Sequence, residues 1–163
     1  MASDGWKILQ EHGPAAHAVL LRLTLSRDAA EDLLQDLFVK LAGRIAHVED
    51  PAAYMARAAI NLAMDWRRAR TKRPVTVFPA GEQRGAEALL EQAEDIDRIL
   101  DAVESLSELE RQVFVLRFVQ QESHERIGQM LQRTPHQSRG ICDAAVKHIR
   151  KVIDERQVSR ERA

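Results

Sequence analysis

The chain has 163 residues, of which 45% are hydrophobic, enough for a folded core and too many for a disordered protein. Its net charge of −1 gives no global attraction to nucleic acid, so any charged surface has to be sought segment by segment. No apolar run approaches the roughly 20 residues of a membrane span, and the start lacks the pattern of a signal peptide, so a cytoplasmic protein with no membrane insertion is expected. The single cysteine cannot form an internal disulfide, and low aromatic and glycine content favours helices over sheets.

In chain order, the first helix is expected over Ala15 to Leu25, where Leu20, Leu21, Leu23 and Leu25 cluster. The second opens on the D-x-x-E signal of Asp28 and Glu31. Leu33, Leu34, Leu37, Phe38 and Leu41 then recur at helical spacing until Gly43. Arg44 to Glu49 reads as a loop. Asp50 and Pro51 supply a cap and a first-turn proline to a third helix, in which Tyr54, Ala58, Leu62 and Trp66 recur every four residues. That helix ends in a basic run through Arg67, Arg68, Arg70, Lys72 and Arg73.

Pro74, Pro79, Gly81 and Gly85 then interrupt any regular element, and an acidic, partly helical stretch follows with Ile96, Ile99, Leu100 and Val103 on one face. Three capped helices close the chain. Ser107 and Glu110 form a capping box ahead of Leu109, Val113, Phe114 and Leu116; Ser123 caps a short helix with Ile127, Met130 and Leu131; Thr134, Pro135 and Gln137 open the last. The tight turn between the last two predicts a helix-turn-helix. The expected architecture is all-α: two small helical domains, residues 10–73 and 95–155, joined by a flexible linker over residues 74–94.

The last helix holds Cys142 between His136 and His148, which raises a metal or redox site. Steps of six residues at about 100° each point the three side chains about 120° apart, so one ion cannot gather them. Cys142 instead joins an inner stripe of Ser138, Ile141, Ala145, Ile149 and Val152. No paired-cysteine spacing, phosphate-cradling glycine loop or nucleophile–base spacing occurs, so neither a catalytic residue nor a metal or other cofactor is expected.

The outer stripe of the same helix is His136, Arg139, Gly140, Asp143 and Lys147, with Arg133 and Gln137 beside its start. In a helix-turn-helix the second helix enters the major groove, where Arg bonds guanine and Gln adenine. A second cationic face stands at the end of the third helix, where Arg57, Asn61, Asp65, Trp66, Arg67 and Arg68 combine phosphate-pairing charges with amide and aromatic groups suited to unpaired bases.

At this point two segments resemble the extracytoplasmic-function group of bacterial RNA polymerase sigma factors. "DAAEDLLQDLFVKL" (Asp28 to Leu41) with "DPAAYMARAAINLAMDWRRAR" (Asp50 to Arg70) is similar to its region 2. "LSELERQVFVLRFVQQESHERIGQMLQRTPHQSRGICDAAVKHIRK" (Leu106 to Lys151) is similar to its region 4. The resemblance implies a sigma subunit that binds core RNA polymerase and promoter DNA. On it, Asp32, Gln35, Asp36 and Lys40 meet the polymerase. The loop from Arg44 to Asp50 with Arg57, Asn61, Asp65, Trp66, Arg67 and Arg68 holds the melted minus 10 element. Arg133, His136, Gln137, Arg139, Gly140, Asp143 and Lys147 read the minus 35 element.

The resemblance further implies an anti-sigma protein as a partner. Gln132 stands where the family's turn commonly has Gly, and Gly140 interrupts the recognition helix at a cost of about 1 kcal/mol relative to Ala. Two other readings stay open on the residues alone: a stand-alone helix-turn-helix regulator, and a helical adaptor that binds only protein.

Overall fold

The structure, a computed structural model, describes residues 2–70 and 86–163. Among the described residues there are seven α-helices and no strand. α1 (Ala2–Thr24), α2 (Arg27–Leu41) and α3 (Pro51–Ala69) form the N-terminal bundle, with a short 3-10 turn at Ile45–His47 between α2 and α3. α4 (Ala86–Val103), α5 (Glu108–Phe114), α6 (His124–Leu131) and α7 (Pro135–Glu161) form the C-terminal half. A π-helical turn, Val115–Val119, continues α5 and is closed by the Gln120 N–H donating to the Val115 carbonyl at 3.0 Å.

Several sequence expectations are corrected here. α1 begins well before Ala15 and runs through Pro14, because Leu9, Ala16, Leu20 and Leu23 lie on one buried stripe whose packing outweighs the missing proline N–H. The cap of α2 is Ser26, which accepts from the Ala29 N–H at 3.3 Å; Asp28 lies inside the first turn. In α3 the buried side is Ala53, Met55, Ala59, Ile60, Ala63 and Met64, whereas Tyr54, Leu62 and Trp66 are half-buried. A four-residue step advances about 400° around a helix, so that expected stripe slants off the core face.

The expected linker is also shorter at its C-terminal end. Pro74 to Gly85 lies outside the described residues, but residues 86–94 are already part of α4. Their sequence, "AEALLEQAE", consists wholly of strong helix formers, so intrinsic propensity supports the turn-by-turn extension of the helix.

Other local signals are realised atom by atom. Ser107 and Glu110 form both bonds of a capping box at 3.3 and 3.1 Å, as do Thr134 and Gln137 at 3.1 and 3.0 Å. Ser123 accepts from the Arg126 N–H at 3.1 Å, and Asp50 from the Ala53 N–H at 3.0 Å. Each cap satisfies a backbone donor that the first helical turn would otherwise leave unpaired.

The two halves touch. Buried residues of both belong to one continuous hydrophobic cluster, and α3 lies against α5 and α6. Polar bonds join them too: the Arg22 guanidinium donates to the Val119 carbonyl at 2.9 Å, and Arg126 of α6 pairs with Asp50 at 3.3 Å.

Candidate nucleic-acid interface

The helix-turn-helix is built on two unusual backbone positions. Gln132 ends α6 in the left-handed conformation at φ 55°, so the chain reverses without the glycine that this geometry usually favours. The glycine that the motif needs sits four residues earlier. A Cβ on Gly128 would lie 2.5 Å from the Arg133 carbonyl oxygen, which means that only a bare α-carbon lets the turn fold back onto α6. The sequence signal for this is a glycine inside a short apolar-faced helix, and it attracts less notice than the turn itself.

α7 presents the expected division of faces. Ser138, Cys142, Ala145 and Ile149 are buried, while His136, Gln137, Arg139, Gly140, Asp143 and Lys147 are exposed together with Arg133. The Ser138 hydroxyl is bonded to His124 Nδ1 at 2.9 Å, fastening α6 to α7. Burial, then the nearby Arg117 and Arg139, hold the His124 pKa below the ordinary histidine value. Cys142 is packed inward, and burial pushes its thiol pKa up, away from reactivity. His148 faces another way and meets the Ser105 hydroxyl at 2.9 Å. Among the described residues no group of three or more His, Cys, Asp or Glu side chains converges as a metal site would require.

Two outer-stripe side chains have partners already. The Gln137 side-chain oxygen accepts from the Thr134 N–H, so its cap role fixes the amide beside the helix start. Arg139 donates to Glu125 of α6 at 3.3 Å, an exposed pair of small energetic worth that still orients the guanidinium. Nothing lies within 4 Å of a Cβ built on Gly140, so the glycine opens a bare strip of backbone to the outside of the helix.

The basic end of α3 is arranged quite differently. Arg67 has no exposed side-chain surface at all. Its Nη2 reaches Asp97 and Asp101 at 2.8 Å each, its Nε reaches Glu104 at 3.2 Å, and its Nη1 donates to the Leu23 carbonyl at 3.0 Å. Of the residues expected to hold DNA, Arg67 is thus the one the structure places inside, which corrects the reading of the whole basic run as a solvent face. Helical phase carries the signal: Arg67 follows Met64, Ala63 and Ile60 by three, four and seven residues, so it shares their buried side.

The neighbours of Arg67 are partly engaged. Asn61 donates to Glu108 at 2.9 Å and its carbonyl oxygen faces the Gln112 amide at 3.5 Å. Arg68 touches Asp65 and the Glu104 carbonyl, both at 3.4 Å, but remains substantially exposed. Trp66 is half-buried, with the Arg70 guanidinium 5.6 Å from its ring centre, and Arg57 sits 5.9 Å from the Tyr54 ring. At the start of α3 the bond from Ala53 and then the charge of Arg126 hold the Asp50 carboxyl below the usual range. Glu104 is shifted the other way, chiefly by burial. Within the loop before α3, Ile45 is buried and its neighbours Arg44, Ala46 and His47 are exposed.

In the N-terminal bundle Asp32, Gln35, Asp36 and Lys40 form an exposed ridge of α2. Val39 stands among them with 81% of its surface exposed, an apolar group that a solvent face does not require and that the sequence pattern of α2 passed over.

Comparison with known proteins fits both halves. The Sigma-70 region 2 family model matches residues 8–73, and the Sigma-70 region 4 model matches residues 96–139. The chain belongs to the sigma-70 family, with region 2 and region 4 in the order of its extracytoplasmic-function members. One similar protein is the "Probable RNA polymerase sigma factor RfaY" of Xanthomonas campestris pv. campestris, 26% identical over 143 residues, which cover 80% of this chain and 33% of that protein. Another is the "RNA polymerase sigma-E factor" of Streptomyces antibioticus, 29% identical over 132 residues, covering 79% of this chain and 73% of that one. The chain therefore spans about a third of the first relative's length and most of the second's. In the sigma-70 frame α1–α3 form region 2, and α4–α7 carry region 4 with its helix-turn-helix at α6 and α7.

Proposed function

We propose that the protein is a sigma subunit that binds core RNA polymerase, recognises the minus 10 and minus 35 promoter elements and directs transcription initiation, acting as a regulatory subunit without chemistry of its own. The observation that carries this reading is the pairing, in one short chain, of a region 2 bundle with a capped and exposed region 4 recognition helix. The ridge of Asp32, Gln35, Asp36 and Lys40, with Val39 between them, is the polymerase contact. Arg57, Asn61, Asp65, Trp66 and Arg68 serve the unpaired minus 10 strand by stacking, amide bonding and phosphate pairing, while the buried Arg67 fixes the end of α3 behind them.

Arg133, His136, Gln137, Arg139, Gly140, Asp143 and Lys147 serve duplex DNA at minus 35. Arg139 supplies the bidentate fork that a guanine edge accepts, and Lys147 and Arg133 pair with phosphates. The start of α7 adds the positive end of the helix dipole toward the backbone, its first-turn N–H groups being largely taken by the capping box. No helix among the described residues is long and apolar enough to cross a membrane, in keeping with work beside the polymerase in the cytoplasm. An anti-sigma protein is a further partner on this reading.

Reconstituted transcription with purified core enzyme on genomic fragments tests the proposal. Promoter-specific transcripts that require the protein are expected. Failure to bind core at micromolar concentration would overturn it, and tight sequence-specific duplex binding with no polymerase present would replace it with the stand-alone regulator.

A further inference from the structure

We propose that the groove bordered by the end of α3, by α4 and by the distal part of α7 is a binding site for a di- or triphosphate group, carried on a nucleoside or free in solution. The groove measures about 700 Å³, and its lining includes six arginines and three carboxylates, an excess of positive charge in a chain of net charge −1. Its α7 wall runs from Val152 to Arg160, beyond the region 4 match, which ends at residue 139. Promoter recognition makes no call on that wall.

Arg67 borders the groove, but Asp97, Asp101 and Glu104 already match its charge. The other five arginines come from three elements: Arg68 and Arg70 at the end of α3, Arg98 of α4, and Arg156 and Arg160 of α7. Arg68 meets Asp65 at 3.4 Å and Arg98 meets Asp95 at 2.8 Å, both exposed pairs of small worth. Arg70 holds Asp97 at 2.9 Å through Nη2, while its Nε is buried without a partner. Among the described residues the side chains of Arg156 and Arg160 have neither an ion pair nor a hydrogen bond, and Glu155 is the carboxylate that α7 adds to the lining. One turn apart on the same face, the two arginines repel each other, and an anion held between them reverses that repulsion.

The choice of ligand follows from the shape and the donors. A guanidinium fork binds two phosphate oxygens at once, and forks on three elements call for more oxygens than one phosphate carries. The volume lies within the roughly 300–1,000 Å³ of small-molecule sites, which leaves room for linked phosphates and a ring system. Val152 and Ile153 are half-buried and give the lining an apolar side on which a nucleoside can rest. A nucleic-acid strand, the other common carrier of phosphate, follows an open basic track, whereas these cations are gathered from three elements around one volume.

Isothermal titration calorimetry of the full-length protein in about 0.15 M salt tests the site, with GDP, ATP, pyrophosphate, guanosine and a single-stranded oligodeoxynucleotide as probes. The groove variant combines Arg156→Ala with Arg160→Ala. Its control, Arg150→Ala with Lys151→Ala, removes the same charge from the same helix outside the lining. Arg98→Ala reads the α4 wall by itself. All five side chains are exposed and alanine is the best helix former, so the variants keep the fold.

The site predicts that the phosphorylated probes bind and guanosine does not, that the groove variant loses about tenfold or more in affinity, that Arg98→Ala weakens binding as well, and that the control matches the wild type. Tighter binding of GDP or ATP than of pyrophosphate supports a nucleotide site, and equal or weaker binding supports a site for the free anion. Several results would overturn the proposal: no binding of any phosphorylated probe, guanosine binding as well as GDP, equal losses in the groove variant and its control, or a loss confined to α7. Tighter binding of the oligodeoxynucleotide than of every small probe would overturn it in favour of a nucleic-acid surface.

Discussion

Helix α3 turns its cations toward acidic groups of its own chain, whereas α7 leaves its outer stripe in water with one exposed ion pair across the turn. Both are amphipathic helices with a cap, a first-turn proline and basic residues, and by composition they are alike. What separates them is the partner: α3 has α4 and α5 beside its basic end, and α7 has nothing over its outer face. A cationic stripe read from sequence therefore indicates a capacity to bind anions, and the anion can be internal.

The sharpest way to break the contrast is at Arg67. Arg67→Ala leaves three carboxylates and two carbonyls around an empty site, and should destabilise the protein by about 3 kcal/mol or more in urea unfolding. Arg139→Ala, which removes an exposed pair, should cost under about 1 kcal/mol in the same measurement. Similar losses at the two sites would contradict the difference in burial.

Glycines give the next contrast. Gly128→Ala drives a methyl against the Arg133 carbonyl and should cost about 1–3 kcal/mol. Gly140→Ala meets nothing and should stabilise α7 by up to about 1 kcal/mol. If Gly140→Ala nevertheless weakens transcription from a minus 35-dependent promoter, the bare backbone strip is a contact surface for DNA.

For promoter recognition, Arg139→Ala is expected to lower the rate of reconstituted transcription about tenfold, in line with roughly 1–3 kcal/mol for a lost bidentate base contact. A promoter-independent loss of core binding would show instead that the residue acts through protein.

The smallest expected effect concerns pH. The folded-state pKa of His124 lies below its ordinary value near 6.5, so the unfolded chain takes the proton first. Its contribution is complete above about pH 6.5 and is lost as pH falls through the lower folded pKa. Arg117 and Arg139 oppose the proton and Glu125 and Asp143 favour it, with burial the largest influence. Between about pH 7.5 and about pH 5.5, Tm should fall more for the wild type than for His124→Gln. Parallel curves would discount the His124–Ser138 bond as a pH-dependent tie.

The features legible in the sequence are those written within one or two helical turns. The caps at Asp50, Ser107, Ser123 and Thr134 join residues three apart, and the inner stripe of α7 repeats every turn, so a linear pattern contains the whole interaction. Ser26 escaped because Asp28 offered the same chemistry two residues later. The contacts of Arg67 with Asp97, Asp101 and Glu104 span 30 to 37 residues and cross the segment between the halves. No local pattern encodes such pairing, although the helical phase of Arg67 marked it as an inward charge in need of a partner. Val39 was passed over for a different reason: two residues from both Leu37 and Leu41 it falls off the inner stripe, and a pattern that records the buried face says nothing of an apolar residue outside it.

The π-helical turn at Val115–Val119 has a consequence for relatives of this chain. It holds one residue more than an α-helical path needs, and each residue turns a helix by about 100°. A relative lacking that residue would keep its capping box and its helix-turn-helix in sequence, yet swing the second about the axis of the first. Equivalent letters in an alignment would then point in different directions, so the surface that the last helix presents could change through a deletion that touches none of its side chains.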